Sequence, residues 1–214
     1  MLNETTLLKD TFINLVNSYS QNSQLTDNLW NEIEKSYSGK KRHYHNLLHL
    51  SSLLTQLTEI KTVIRNWDAL LFSLYYHDII YNTLKNDNEE KSAEIAQQRM
   101  IQLRVPAGIT ALCKAQIIAT KLHGISGNND TDLFTDADLS VLGQPWEIYT
   151  AYYKNIRKEY ALYPALIYNP GRKKVLTHFL KMNPIFKTPF FYSRFEKQAR
   201  ENLQKELELL TNNQ

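Results

Sequence analysis

The sequence predicts an all-α fold of about ten helices, and three observations carry that prediction. Apolar residues recur at spacings of three and four over most of the 214 positions. No segment of useful length alternates polar and apolar side chains as a half-buried strand does. Neither an internal repeat nor a low-complexity tract points to a solenoid or a disordered tail.

The elements follow in order. Leu8, Phe12, Leu15, Val16 and Tyr19 form one stripe on a first amphipathic helix. Leu25, Leu29, Ile33 and Tyr37 form a second, which Gly39 stops. The leucine-rich run from about His45 to Ile60 holds no Gly or Pro and reads as a third helix, with His45 and His49 on one face and His43 on the other. Asn66 or Asp68 caps a helix through Ile80, with Ala69, Phe72, Tyr76 and Ile80 in one stripe. That helix is apolar nearly all round, which places it at the centre of a bundle. Polar Asn86-Asp87-Asn88 leads into a helix from Asn88 toward Leu103, and Pro106 opens the next, which reaches Lys121. His123 to Asp130, rich in Gly, Asn and Asp, reads as a loop that runs into a stretch with Asp136 and Asp138, ending at Gly143. Tyr149, Tyr152, Ile156, Tyr160 and Tyr163 mark a helix broken by Pro164 and the turn Asn169-Pro170-Gly171. A short helix with Val175, Leu176, Phe179 and Leu180 is closed by Asn183-Pro184, and a last one, roughly Phe190 to Leu210, turns Phe195, Ala199, Leu203, Leu207 and Leu210 inward.

Composition excludes several function classes. The chain fits one domain, residues 1–214, better than two. Its 25 basic and 22 acidic residues leave a net charge of +3 without a long run of either sign, which gives no case for nucleic acid. Cys113 is the only cysteine, so an intrachain disulfide framework is excluded and a reducing compartment fits. The first ten residues lack a basic region followed by a long apolar one, and no 18 apolar residues run together, so a cytoplasmic protein away from the membrane is expected.

Chemistry concentrates in three places. His77-Asp78 lies in the apolar run Tyr75 to Tyr81, and such a pair needs a partner such as a metal ion when buried. Upstream stands Arg42-His43-Tyr44-His45-Asn46-Leu47-Leu48-His49, and downstream Phe134-Thr135-Asp136-Ala137-Asp138-Leu139-Ser140. His45, His77, Asp78 and Asp138 would supply two imidazoles and two carboxylates, suited to one octahedral divalent ion such as Mn, Fe, Ni, Co or Mg, with waters completing the shell. A structural zinc site would instead be rich in cysteine. An ion with open positions lowers the pKa of water and polarises a phosphoryl oxygen. Arg42, three residues before His45, could clamp a phosphate bidentately.

Arg42-x-x-His45, then His77-Asp78, then Ala137-Asp138-Leu139 resemble the HD superfamily of metal-dependent phosphohydrolases. More narrowly, Arg-His-Tyr-His-Asn-x-x-His, His-Asp-x-x-Tyr, Asn88-Glu89-x-x-Ser92-Ala93 and Asp136-Ala137-Asp138-Leu139-Ser140-x-Leu142-Gly143 are similar to a bacterial subgroup of predicted HD phosphohydrolases, over residues 41 to 202. The resemblance implies a single HD-type helical domain, with a metal-site core over about 41–145 and the helices of 146–214 packed on it. It also implies His45, His77, Asp78 and Asp138 as metal ligands, and it alone favours Asp138 over Asp136, which could instead cap the short helix.

Other residues keep two readings each. His49 faces the site and could contact a substrate phosphate, help hold a second metal or support a ligand from behind. His123 follows a helix end, where it meets the dipole or enters the site with His49. Glu89 orients the attacking water or simply begins its helix. Arg157, Arg172 and Arg200 are phosphate clamps by the family-like contexts and salt-bridge residues otherwise. Tyr44, Tyr76 and Tyr81 could line a base or sugar pocket. Together these point to a phosphohydrolase of a small phosphorylated metabolite, a nucleotide for preference. The other class is a non-catalytic nucleotide- and metal-binding regulatory module, and in either case the chain would be a monomer or a homodimer.

Overall fold

A computed structural model describes residues 2–212. It is all-helical there, with ten α-helices and no strand among the described residues. The helices are α1 (Leu2–Asn17), α2 (Ser23–Tyr37), α3 (Leu47–Glu59), α4 (Trp67–Tyr76), α5 (Asn88–Gln102), α6 (Ala107–Ala119), α7 (Asn129–Asp138), α8 (Trp146–Glu159), α9 (Ala165–Lys181) and α10 (Pro189–Asn212). Short 3₁₀ turns cover Lys61–Val63 and Leu139–Gly143. The chain forms two compact units divided in sequence between Thr135 and Asp136. No described helix is long and apolar enough to cross a membrane.

In the first unit α4 packs against α1, α3, α5 and α6. Every residue from Ala69 to Tyr76 is buried, as an all-round apolar helix requires. Asn66 starts it by accepting the Ala69 N–H at 3.1 Å. Leu8, Phe12 and Val16 of α1 are fully buried, and the Tyr75 hydroxyl donates to the Leu8 carbonyl at 2.7 Å, tying α1 to the centre. Tyr76 is itself fully buried in this core, which removes it from any pocket lining.

Two boundaries differ from the sequence reading here. The third helix begins at Leu47, because the Asn46 side chain accepts the N–H groups of Leu48 and His49 and so acts as its cap. His45 therefore precedes the helix instead of sharing a face with His49. The fourth helix ends at Tyr76, with His77 as its cap residue still in helical conformation. The Ile79 N–H turns back to the Tyr76 carbonyl at 3.2 Å, so the chain leaves in a tight turn and not in a further turn of helix to Ile80.

In the second unit α10 packs on α9 and on the Leu139–Gly143 turn, which α8 also touches. Gly143 allows this: a Cβ there would stand 2.5 Å from the Phe195 Cβ and 2.6 Å from its carbonyl oxygen. Asn202 donates to the carbonyls of Leu142 and Gln144, both at 2.8 Å, and so satisfies the turn's exposed end. Contrary to the predicted break, α9 runs unbroken through Asn169-Pro170-Gly171. Pro170 is exposed in the second turn, and the carbonyl it deprives of a donor belongs to Leu166, itself 87 % exposed, so water replaces the bond.

Candidate metal centre

The site grows from the end of α4. The His77 N–H completes the helix by donating to Ser73 O at 2.9 Å, and His77 Nδ1 lies 3.0 Å from Leu74 O. A proton on Nδ1 donates to that carbonyl, which turns the Nε2 lone pair of the neutral ring outward. His77 Nε2 then stands 3.2 Å from His49 Nε2 and 3.2 Å from Asp78 Oδ2. Both carboxylate oxygens of an ionised aspartate are acceptors, so with the proton on Nδ1 the contact between His77 and Asp78 calls for positive charge, an imidazolium proton or a metal cation, whereas a proton on Nε2 would donate to Asp78 and leave Nδ1 facing Leu74 O. His45 Nε2 lies farther off, 3.9 Å from the same Asp78 oxygen. His77 is 1 % exposed, and Phe134 meets its ring edge-on at 5.8 Å, which keeps water from that side.

Four residues predicted from sequence are thus brought together: His45, His49, His77 and Asp78. His49, in the first turn of α3, takes the position nearest His77. His45 stands at the rim, its ring 4.3 Å from that of Tyr81 and 4.9 Å from that of Tyr44. Imidazole and carboxylate donors are of the type that suits a borderline divalent cation, and His77 is the residue in contact with both His49 and Asp78. Asp138 is the last residue of α7, half-buried. Asp136 has a different task. Fully buried, it accepts the N–H groups of Lys187 and Thr188 at 3.0 and 2.8 Å and the Thr188 hydroxyl at 2.7 Å, and so holds the segment that opens α10. It does not cap its own helix.

Arg42 donates to main-chain carbonyls: Nη1 to Asp78 O at 2.6 Å and to His45 O at 3.2 Å, Nη2 to Ile79 O at 3.0 Å. Its guanidinium also lies over the rings of Tyr37 and Tyr81, 4.9 and 5.2 Å from their centroids. Glu89 stands 4.0 Å from Lys121 Nζ, and Lys121 also bonds the neighbouring Glu90. His123 sits in the left-handed region, φ 53°, where its N–H closes the end of α6 on Ala119 O at 2.9 Å. Arg157 donates to the carbonyls of Tyr160 and Tyr163 and closes the end of α8. Arg172 forms a buried two-pronged pair with Glu206 at 2.7 and 2.8 Å, and Arg200 bonds Glu196 and two carbonyls. Each of these three arginines has its guanidinium turned to groups of the second unit.

Sequence reasoning did not assign the residues that hold the segment after the His-Asp pair. Tyr37 accepts the Asp78 N–H on its hydroxyl at 3.1 Å. Ser92 accepts from Ile80 N at 3.1 Å and donates to Ile80 O at 3.3 Å. Asn88 does the same for Asn82, both bonds at 3.0 Å. The signal was present in the i, i+4 spacing of Asn88 and Ser92, which puts both on one face of α5. Comparison with family models, with curated proteins and with solved structures gives no match.

Proposed function

We propose that this chain is a metal-dependent phosphohydrolase of HD type, acting on a small phosphorylated metabolite, a nucleotide for preference. The observation that carries the proposal is the approach of His49 Nε2, His77 Nε2 and Asp78 Oδ2, linked by two 3.2 Å contacts in a largely buried place. With the His77 proton on Nδ1, its Nε2 lone pair faces both the Asp78 carboxylate and His49 Nε2, an arrangement that a cation would stabilise. We take His49 and His77 of the first unit as ligands, with Asp78 and His45 beside them. A bound divalent ion would supply Lewis-acid chemistry, lowering the pKa of water and polarising a phosphoryl oxygen.

The remaining work falls to the chain. Leu74 O fixes the His77 ring, Asp78 supplies negative charge that favours cation capture, and the ring of Tyr81 against His45 gives an aromatic wall for a base or sugar. The test is phosphate release from nucleoside mono-, di- and triphosphates, cyclic nucleotides and pyrophosphate. Metal-stripped protein reloaded with manganese, cobalt, nickel, iron or magnesium is compared with Asp78→Ala and His77→Ala. Metal-dependent turnover that both variants lose is the expected result. Stoichiometric metal binding without turnover on any member would replace the hydrolase by a regulatory nucleotide-binding module.

A further inference from the structure

We propose that Arg42 is a positioning residue that sets the metal site's geometry and leaves the substrate phosphate to other groups; this rests on the metal site proposed above. A guanidinium is a rigid plane of five N–H donors, and three hydrogen bonds of Arg42 end on the carbonyls of His45, Asp78 and Ile79. Those carbonyls belong to two segments far apart in sequence. One is the bend that carries His45 ahead of α3, the other the turn that carries His77 and Asp78 after α4. Neither segment is helical there, so neither has a ladder of its own to fix it. One planar group bonded to both sets their separation, and with it the 3.9 Å between His45 Nε2 and Asp78 Oδ2.

The rings complete the brace. Tyr37 and Tyr81 both face the guanidinium, Tyr37 also receives the Asp78 N–H, and Tyr81 also packs on His45. The cation therefore touches each structure that places a candidate ligand at the rim, through main chain and ring alike. Three of the five N–H donors are committed in this way, so a phosphate that took more than the remaining two would have to break bonds to these carbonyls. The 2.6 Å bond to Asp78 O is short for N–H···O, as expected of a charged donor.

The experiment is Mn²⁺ titration by calorimetry of the full chain, without substrate, for wild type, Arg42→Lys, Arg42→Gln and Tyr37→Phe, with thermal melting of each metal-free protein alongside. Loss of a group that orients ligands lowers metal affinity about 10- to 100-fold. That loss is expected for both Arg42 variants, because the point charge of lysine cannot span three carbonyls. Tyr37→Phe keeps the ring and loses the Asp78 N–H acceptor, so a loss of a few-fold is expected, and this milder variant decides the matter should the Arg42 variants not fold. A melting point lowered with Mn²⁺ affinity within twofold of wild type would make Arg42 purely structural and overturn the inference, leaving the metal site intact. Unchanged Mn²⁺ affinity with weakened binding of inorganic phosphate to the loaded protein would make Arg42 a phosphate clamp, which also overturns it. Wild type that binds no divalent ion overturns the metal site and this inference together.

Discussion

Glu206→Gln should be the most costly single-atom change in the second unit. Glu206 is 3 % exposed and Arg172 7 %, and the carboxylate accepts from Arg172 Nε and Nη2 and from the Tyr149 hydroxyl at 2.5 Å. The amide keeps the shape but leaves the guanidinium buried beside a neutral group, and breaking a buried pair in this way costs about 3–5 kcal/mol. With a urea slope of about 2 kcal/mol/M, the midpoint falls by about 1.5–2.5 M. Trp146 is the natural reporter, since its ring stacks on Tyr149 at 5.7 Å and it is the sole tryptophan after Thr135. Removing both charges, as Arg172→Met with Glu206→Leu, leaves no stranded ion. It costs about 1–3 kcal/mol for the unsatisfied Tyr149 hydroxyl, less than the two single changes together. A Glu206→Gln midpoint within about 0.3 M of wild type, or strict additivity of the single changes, would show that the pair is solvated and refute the argument.

Two further outcomes are expected. Gly143→Ala places a methyl against the backbone of Phe195, which cannot swing aside as a side-chain tip can, so the same urea transition should lose about 1–3 kcal/mol; a change below about 0.5 kcal/mol would mean that the contact yields. At high pH the fold should weaken: burial raises the Cys113 thiol and the Tyr168 phenol each to about 12 and pushes Tyr75, Tyr76 and Tyr149 higher still. The native state thus keeps protons that the unfolded chain gives up from about pH 9 for the thiol and about pH 10 for the phenols, and stability falls by about 1.4 kcal/mol per group per pH unit between the two pKa values. Urea midpoints from pH 8 to 11, with tyrosinate absorbance, check the sign; a midpoint that rises over this range would overturn it.

How much was legible depended on where each residue finds its partner. The centrality of α4 could be read from eight consecutive residues that offer no polar face, and its start from Asn66, because burial pattern and cap are local signals. His45 was misplaced on a helix because the leucines around it fit helical spacing, while the cap at Asn46 competes for the same turn and wins by two backbone hydrogen bonds. The end of α4 depended on Arg42, 36 residues from Asp78, which no local pattern reveals. Pro170 looked like a break, but its position near an exposed helix start makes the lost bond replaceable by water. The pairing of Arg172 with Glu206 spans 34 residues, beyond any local pattern, and from sequence Arg172 reads as a phosphate clamp or a surface salt-bridge residue. At the site, an imidazole beside a carboxylate was legible from His77-Asp78. The order of approach, with His49 nearer than His45, required the first turn of α3 to be in place.

The bond between His77 Nδ1 and Leu74 O makes the imidazole an appendage of the best-buried helix in the first unit. Folding itself then removes the ring's rotational freedom, and capture of an ion at the site proposed above would require little further ordering of that group. At the metal site proposed above, such a ring would meet an arriving cation already aimed, with no rearrangement of the ring to wait for. Opening that turn enough to release the ring would require the end of α4 to come loose, an event as infrequent as exposure of the core.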